Sequence, residues 1–157
     1  MTKHIEFAFL ADKPELIPTV ANWYFNEWGA LANASLEVFT QKLDDYLNTD
    51  KIPLLVIAMD GTTAIGAAHL RFHEMSIYPD KEHWIGGVYV DAPYRGKHIA
   101  SALVQNIENI AIRLGVSQLH LQTEQLNGGL YAKLGWQEIE QVESRGVDVS
   151  VRVKSLS

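Results

Sequence analysis

The segment VDAPYRGKHIASALV, Val90 to Val104, carries an apolar run across Pro93 into the turn Arg95-Gly96-Lys97-His98 and on into an amphipathic stretch. Small residues at 96, 100 and 101 let backbone N–H groups come close to a bound anion. A helix starting near Ile99 adds its own unpaired N–H donors and the positive end of its dipole. Arg95, Gly96, Lys97, His98, Ile99, Ala100 and Ser101 are therefore candidate anion-binding residues. Two other phosphate loops are excluded. A nucleoside triphosphatase loop needs glycine five residues before its Gly-Lys pair and Ser or Thr after it, where this chain has Asp91 and His98; the three-glycine dinucleotide fingerprint occurs nowhere. Histidine is among the residues more often tolerated at positive φ, so His98 is compatible with a tight turn.

Other chemistry-bearing residues are scattered. His69, His73, Glu74 and His83 suggest a metal site, but His69 and His73, placed on one face of a strand, would stand about 13 Å apart. One ion, with histidine ligands at about 2.0 to 2.1 Å, cannot hold both, and no metal is expected. The chain has no cysteine, which excludes disulfides, thiolate ligands and a cysteine nucleophile. In NWYFNEW, Trp23, Tyr24, Glu27 and Trp28 could enclose a cationic amine by cation–π and charge attraction; Tyr24 and Trp28 equally suit a core. Gly86-Gly87, inside an apolar run, marks a bulge or a close backbone approach.

The elements that must position these residues follow from periodicity. Ile5 to Leu10 reads as a strand. Lys13 to Gly29 is a helix with Leu16, Val20, Tyr24 and Trp28 on one face, and Ser35 caps a second helix through Asn48 with Leu36, Phe39, Leu43 and Leu47 on its stripe. Pro53–Asp60 and Gly61–Met75 form a hairpin around Asp60-Gly61, and His83–Asp91 is a fourth strand. Ile99, Leu103, Ile107, Ile110 and Leu114 mark a helix stopped by Gly115. Ser117–Glu124 is a strand, Leu126–Gly135 a short helix, and Trp136–Val142 with Val147–Val153 a hairpin around Ser144-Arg145-Gly146. This order specifies an α/β fold with a mixed sheet of about seven strands, because hairpins impose antiparallel pairs and the strand-helix-strand crossover a parallel one. Ligands gather at the carboxyl ends of strands in such sheets, and Arg95 follows one of those ends.

The 157 residues, 47% apolar and 20% charged, suit one globular domain spanning 1–157. A net charge of -6 without basic blocks argues against nucleic acid, and would attract a cationic small molecule or a basic peptide. The apolar patch near the N-terminus, ended by Asp12, Lys13 and Pro14, is too brief for a signal peptide or membrane span, so a cytoplasmic protein is expected.

The turn, with Arg95 and Ala100 in place, resembles the acetyl-CoA pyrophosphate loop of the GNAT acetyltransferases, in which His98 stands where glycine is usual. LYAKLGW near the C-terminus is similar to the family's final helix. Over most of the chain, best from Pro53 to Trp136, the resemblance implies a GNAT-like fold and acetyl transfer from acetyl-CoA to a primary amine of a small molecule or a peptide N-terminus. It places backbone at Val88, Tyr89 and Val90 against the pantetheine arm, with Asn127 as a further coenzyme contact. Tyr131 becomes the proton donor to the departing sulfur. Trp84 occupies the family's usual base position, which leaves Glu82, His83, Glu124 or water as base, Glu82 foremost. Trp23, Glu27 and Trp28 would bind the acceptor, and a homodimer is allowed. The competing readings are a coenzyme A-binding or ligand-sensing module without transfer activity, and a structural subunit.

Overall fold

The computed structural model describes residues 5–156; residues 1–4, the start of the N-terminal segment discussed above, and residue 157 lie outside the described residues. Seven strands, β1 (Ile5–Phe9), β2 (Leu54–Asp60), β3 (Thr63–Phe72), β4 (His83–Val90), β5 (Gln118–Thr123), β6 (Gln137–Ser144) and β7 (Val147–Ser155), form one sheet in the order β1-β2-β3-β4-β5-β7-β6. Four α-helices accompany it: α1 (Ile17–Ala32), α2 (Leu36–Leu43), α3 (Ile99–Arg113) and α4 (Gly129–Lys133). Every neighbouring pair of strands is antiparallel except β4 and β5. The mixed α/β sheet and its element order are those expected from the sequence.

Local chemistry accounts for the turns. Gly61, at φ +62°, lets β2 reverse into β3 within two residues, and Arg145 and Gly146, at φ +52° and +83°, do the same between β6 and β7. Ser35 caps α2 by accepting from the Val38 N–H. The second helix is shorter than expected. It ends at Leu43 and tightens into a 3₁₀ turn over Asp44–Tyr46, because the Asn48 side chain donates to the carbonyls of Asp45 (3.2 Å) and Pro53 (2.8 Å) and turns the chain. The first helix also begins late, at Ile17, after a 3₁₀ turn opened by Pro14. His73 departs from its expected strand: β3 ends at Phe72, and His73 stands at φ +46°.

Leu54–Met59 is buried on both faces of the sheet. On one face Val56, Ala58, Ile65, Leu70 and Ile85 pack against Ile99, Leu103, Ile107 and Ala111 of α3. On the other, Leu55, Ile57 and Ala67 pack against Val20 and Tyr24 of α1 and Leu43 of α2. A third cluster sets Met75 and Tyr78 of the β3–β4 loop against Trp84, Val149 and Val151. Two irregularities shape the centre of the sheet. β4 and β5 pair in register only at Trp84 and His120, and the ladder does not continue toward their carboxyl ends. Opposite the single residue Ala68, β4 supplies both Gly87 and Val88, a bulge with Gly87 at φ +59°.

Candidate active site

The split between β4 and β5 meets the start of α3. A cleft of about 400 Å³ lies there, with Val88 and Val90 of β4 along one side and Leu130 of α4 on its lining. Arg95, Gly96, His98, Ile99, Ala100 and Ser101 complete its wall, so six of the seven loop residues singled out in the sequence come together. Gly96 takes φ +77° and His98 φ +65° with ψ +19°, so the histidine does adopt the left-handed conformation the turn requires. The His98 side chain at the N-cap makes no capping hydrogen bond among the described residues, and no acidic residue stands in the first turn of α3. Its leading N–H groups thus present the uncompensated positive end of a fifteen-residue helix.

The side chains of three expected coenzyme-site residues have partners within the chain. Tyr89 stacks on Trp23 (5.3 Å between centroids) with the Arg95 guanidinium over its ring at 5.5 Å, while Arg95 Nε donates to the Val90 carbonyl at 2.8 Å. Lys97 Nζ lies over the Tyr94 ring at 5.6 Å. Asn127 Oδ1 accepts from the Gly129 N–H at 3.0 Å, fixing the start of α4.

The bulge opens toward a second group of residues. A Cβ at Gly86 would meet a carboxylate oxygen of Glu74 and the His69 ring, and one at Gly87 would meet His69 and the Tyr24 hydroxyl at 2.5 Å. Both glycines therefore make room for side chains converging from α1, β3 and the β3–β4 loop. Tyr24 donates to the Gly87 carbonyl at 2.7 Å, and Gln122 of β5 donates to Glu74 at 3.0 Å across the split. Tyr46 packs against His69 at 5.2 Å, and Tyr24 against the same ring at 6.0 Å.

Burial sets the protonation of this group. It raises the Glu74 carboxyl, against the opposing pull of the Gln122 hydrogen bond and the Arg71 and Arg145 guanidiniums. It lowers His69 to about 3, with the Arg71 charge adding to the effect, so the imidazole is neutral at ordinary pH. His69 Nδ1 is buried with no hydrogen-bond partner among the described residues. Tyr131, half-buried and edge-on to Trp136 at 6.4 Å, is pushed up to about 12 by burial and then by the Glu74 charge, so phenol and carboxylate sense each other. The Tyr24 hydroxyl is raised well above its usual value by burial and by Tyr46.

Of the expected base residues, Glu82 and His83 stand at the start of β4 and Glu124 follows β5. The Glu82 side chain is 59% exposed, 3.4 Å from His83 Nε2. It precedes β4 and is four residues from Gly86, about 13 Å along an extended chain. The His83 ring rests against Phe72 at 5.5 Å, and Glu124 is exposed beyond the end of β5. Trp84 is wholly buried, its indole N–H donating to the Lys81 carbonyl at 2.8 Å. Trp23 is core and Glu27 is exposed; Trp28 alone of the expected acceptor trio turns toward the group, edge-on to Tyr24 at 5.4 Å. Glu74, His69 and Gln122 are the residues that sequence reading did not assign to the site. The adjacent Gly86-Gly87 pair was the one local trace of the space they need.

The sequence profile of the acetyltransferase (GNAT) family matches residues 17–136. No curated protein matches the chain by sequence. Among solved structures, aminoglycoside 6'-acetyltransferase type Ii aligns with a TM-score of 0.75 at 16% identity over 97% of each chain. An aminoglycoside 6'-N-acetyltransferase complexed with coenzyme A gives 0.76 at 13%, also over 97% of each. YncA of Salmonella typhimurium, with its cofactor acetyl-CoA, gives 0.73 at 16% over 98% of this chain and 94% of its own. Identities this low speak for the fold alone, while the family profile matches from the start of α1 through α4: the chain belongs to the acetyltransferase (GNAT) family.

Proposed function

We propose that this protein transfers an acetyl group from acetyl-CoA directly to the primary amine of a small molecule or a peptide N-terminus. The observation carrying the reading is that two unlike half-sites border consecutive residues of β4, one at Val88 and Val90 and one at Gly86-Gly87. One is an anion seat with apolar flanks, and the other a half-buried carboxylate within electrostatic reach of a phenol. The first half-site fits acetyl-CoA: the α3 N–H groups suit the pyrophosphate, and Val88, Val90 and Leu130 offer apolar surface to the pantetheine arm. Two of the solved relatives hold coenzyme A or acetyl-CoA.

When bound, the coenzyme supplies the acetyl group as an activated thioester. The chain's own residues then manage protons. An amine of pKa about 10.4 is almost wholly protonated at pH 7, and freeing it costs about 4.6 kcal/mol. Glu74, raised by burial, is a better proton acceptor than a solvated carboxylate and takes the ammonium proton, which passes to water. As the new C–N bond forms and the C–S bond breaks with its electron pair on sulfur, Glu74 takes the second nitrogen proton and Tyr131 protonates the sulfur. Glu74 then returns its proton to Tyr131. Because the Glu74 charge helps hold Tyr131 near 12, neutralising Glu74 makes the phenol a stronger acid when its proton is needed. This assigns to Glu74 the role expected of Glu82.

The test is calorimetry with acetyl-CoA together with release of free thiol over a panel of amines, peptides, polyamines and aminoglycosides. Coenzyme binding with amine-dependent thiol release is expected. Tight binding without turnover on any acceptor would favour a ligand sensor, and absence of binding a structural subunit.

A further inference from the structure

Glu74 is not the only charged group on the acceptor side of the sheet. Arg71 lies two residues beyond His69 on β3, so both side chains project from the same face, and it pairs across to Trp84 on β4. Its charge is felt by His69, Tyr46 and Glu74 alike. Arg145 also makes its charge felt at that carboxylate. It stands at the tip of the β6–β7 hairpin, whose Val142 and Val147 pack against the Met75 and Tyr78 cluster, and the Tyr78 hydroxyl ties the loop to Glu140 at 2.8 Å. That docking puts Arg145 within electrostatic reach of Glu74, the residue preceding Met75.

Neither guanidinium forms an ion pair among the described residues. Arg71 Nε donates to the carbonyl of its neighbour Phe72 at 3.3 Å. The other groups around Glu74 are the neutral His69 imidazole and the phenols of Tyr24, Tyr46 and Tyr131; the carboxylate bearing on Tyr46 from its own turn is the exposed Asp45. Two permanent positive charges thus bear on one buried carboxylate, with the exposed Asp45 the other acidic group acting on the cluster. A polycation would bring more positive charge against the guanidiniums than Glu74 offsets. A molecule with an amine and an acid group a few bonds apart satisfies all three: the amine at Glu74, the acid on the arginines, whose planar donors suit carboxylate geometry.

Resting on the acetyl-transfer reading above, we propose that the acceptor is an amino-acid-like primary amine, its carboxylate held by Arg71 and Arg145. This replaces the expectation of a cationic acceptor drawn from overall charge and from Trp23, Glu27 and Trp28.

The experiment compares free L-amino acids with their own primary amides, and with polyamines and aminoglycosides, as acceptors in the thiol-release assay. Each amide keeps the side chain and the amine and lacks only the negative charge, and its amine is the less basic of the two. The free acid is nevertheless expected to show kcat/KM on the order of 10- to 100-fold higher, as a charge-assisted contact implies. Arg71→Gln and Arg145→Gln should each raise KM for the acid by a similar factor and KM for the amide far less, with acetyl-CoA affinity unchanged and partial rescue by Arg71→Lys. Amides, polyamines or aminoglycosides turned over better than the acids would overturn the acceptor class while acetyl transfer stands, as would a KM for the acid indifferent to both arginines. Thiol release with no amine at all would sink the transfer reading, and this proposal with it.

Discussion

Glu74 accepts a hydrogen bond from Gln122 at 3.0 Å, yet burial still holds its proton affinity above that of a free carboxylate. A group whose folded pKa is raised favours the fold below its unfolded value, and that contribution is lost as pH rises through the folded value. At pH 8 the ionised side chain therefore opposes folding, so Glu74→Gln, nearly the same in shape, should raise Tm at pH 8. The gain should vanish below about pH 4, near the unfolded carboxyl's pKa. If Glu74 is the base, the same variant should lower kcat on the order of 10²-fold or more and abolish the acid limb of kcat/KM against pH. Full activity in a stabilised variant would return the role to Glu82 or water. Tyr131 gives the complementary case. Against a thiol of pKa about 8.5, a phenol near 12 surrenders its proton at a cost of about 4.8 kcal/mol. That is small beside the barrier of about 17 kcal/mol for a turnover of one per second. Tyr131→Phe keeps the packing on Trp136 and should reduce kcat about 10²-fold with acetyl-CoA affinity nearly unchanged. An unaltered kcat, measured where chemistry limits the rate, would leave Tyr131 a packing residue.

Among the elements, the turn into α3 concentrates what recognition of an anion requires. A Cβ at Gly96 meets nothing within 4 Å, but its φ of +77° is unfavourable to any side chain, and a carboxylate there would face the positive end of the helix in place of the ligand. Gly96→Asp should thus leave the fold intact by circular dichroism and weaken acetyl-CoA binding on the order of 100-fold, read by calorimetry. Tight binding in this variant would move the coenzyme away from the turn. That turn was legible in the sequence because its chemistry is local: small residues, a strand end and a helix start lie within a dozen positions. The Gly86-Gly87 bulge was legible for the same reason. Glu74 was not, since its position depends on Met75 and Tyr78 docking on Trp84, Val149 and Val151, a contact made across the whole second half of the chain. Trp23 misled for a related reason. An aromatic on a helix face reads alike whether it lines a pocket or, as here, stacks on Tyr89 in the core.

Across the whole molecule, burial disfavours the charged forms of Glu74 and His69 behind the split, and this ties the site to the pH dependence of the fold. His69 is depressed to about 3, so its contribution is complete above the unfolded value of about 6.5 and is lost as pH falls toward 3, because the unfolded chain takes a proton the fold refuses. His120, lowered chiefly by burial, acts in the same direction. Glu74 acts in reverse, stabilising the fold as falling pH neutralises it. The acid-side slope of the intact protein is therefore a difference between opposed titrations, each worth up to about 1.36 kcal/mol per pH unit. Removing either group should expose the other. Urea unfolding between pH 4 and 8 should give a flatter profile for His69→Gln, which deletes a loss, and a steeper one for Glu74→Gln, which deletes a gain. The two variants should thus diverge from the parent in opposite senses as the solution is acidified. Three parallel profiles would mean that neither side chain is shielded from water in the fold. The site would then lack the desolvation on which the proposed proton transfer through Glu74 depends.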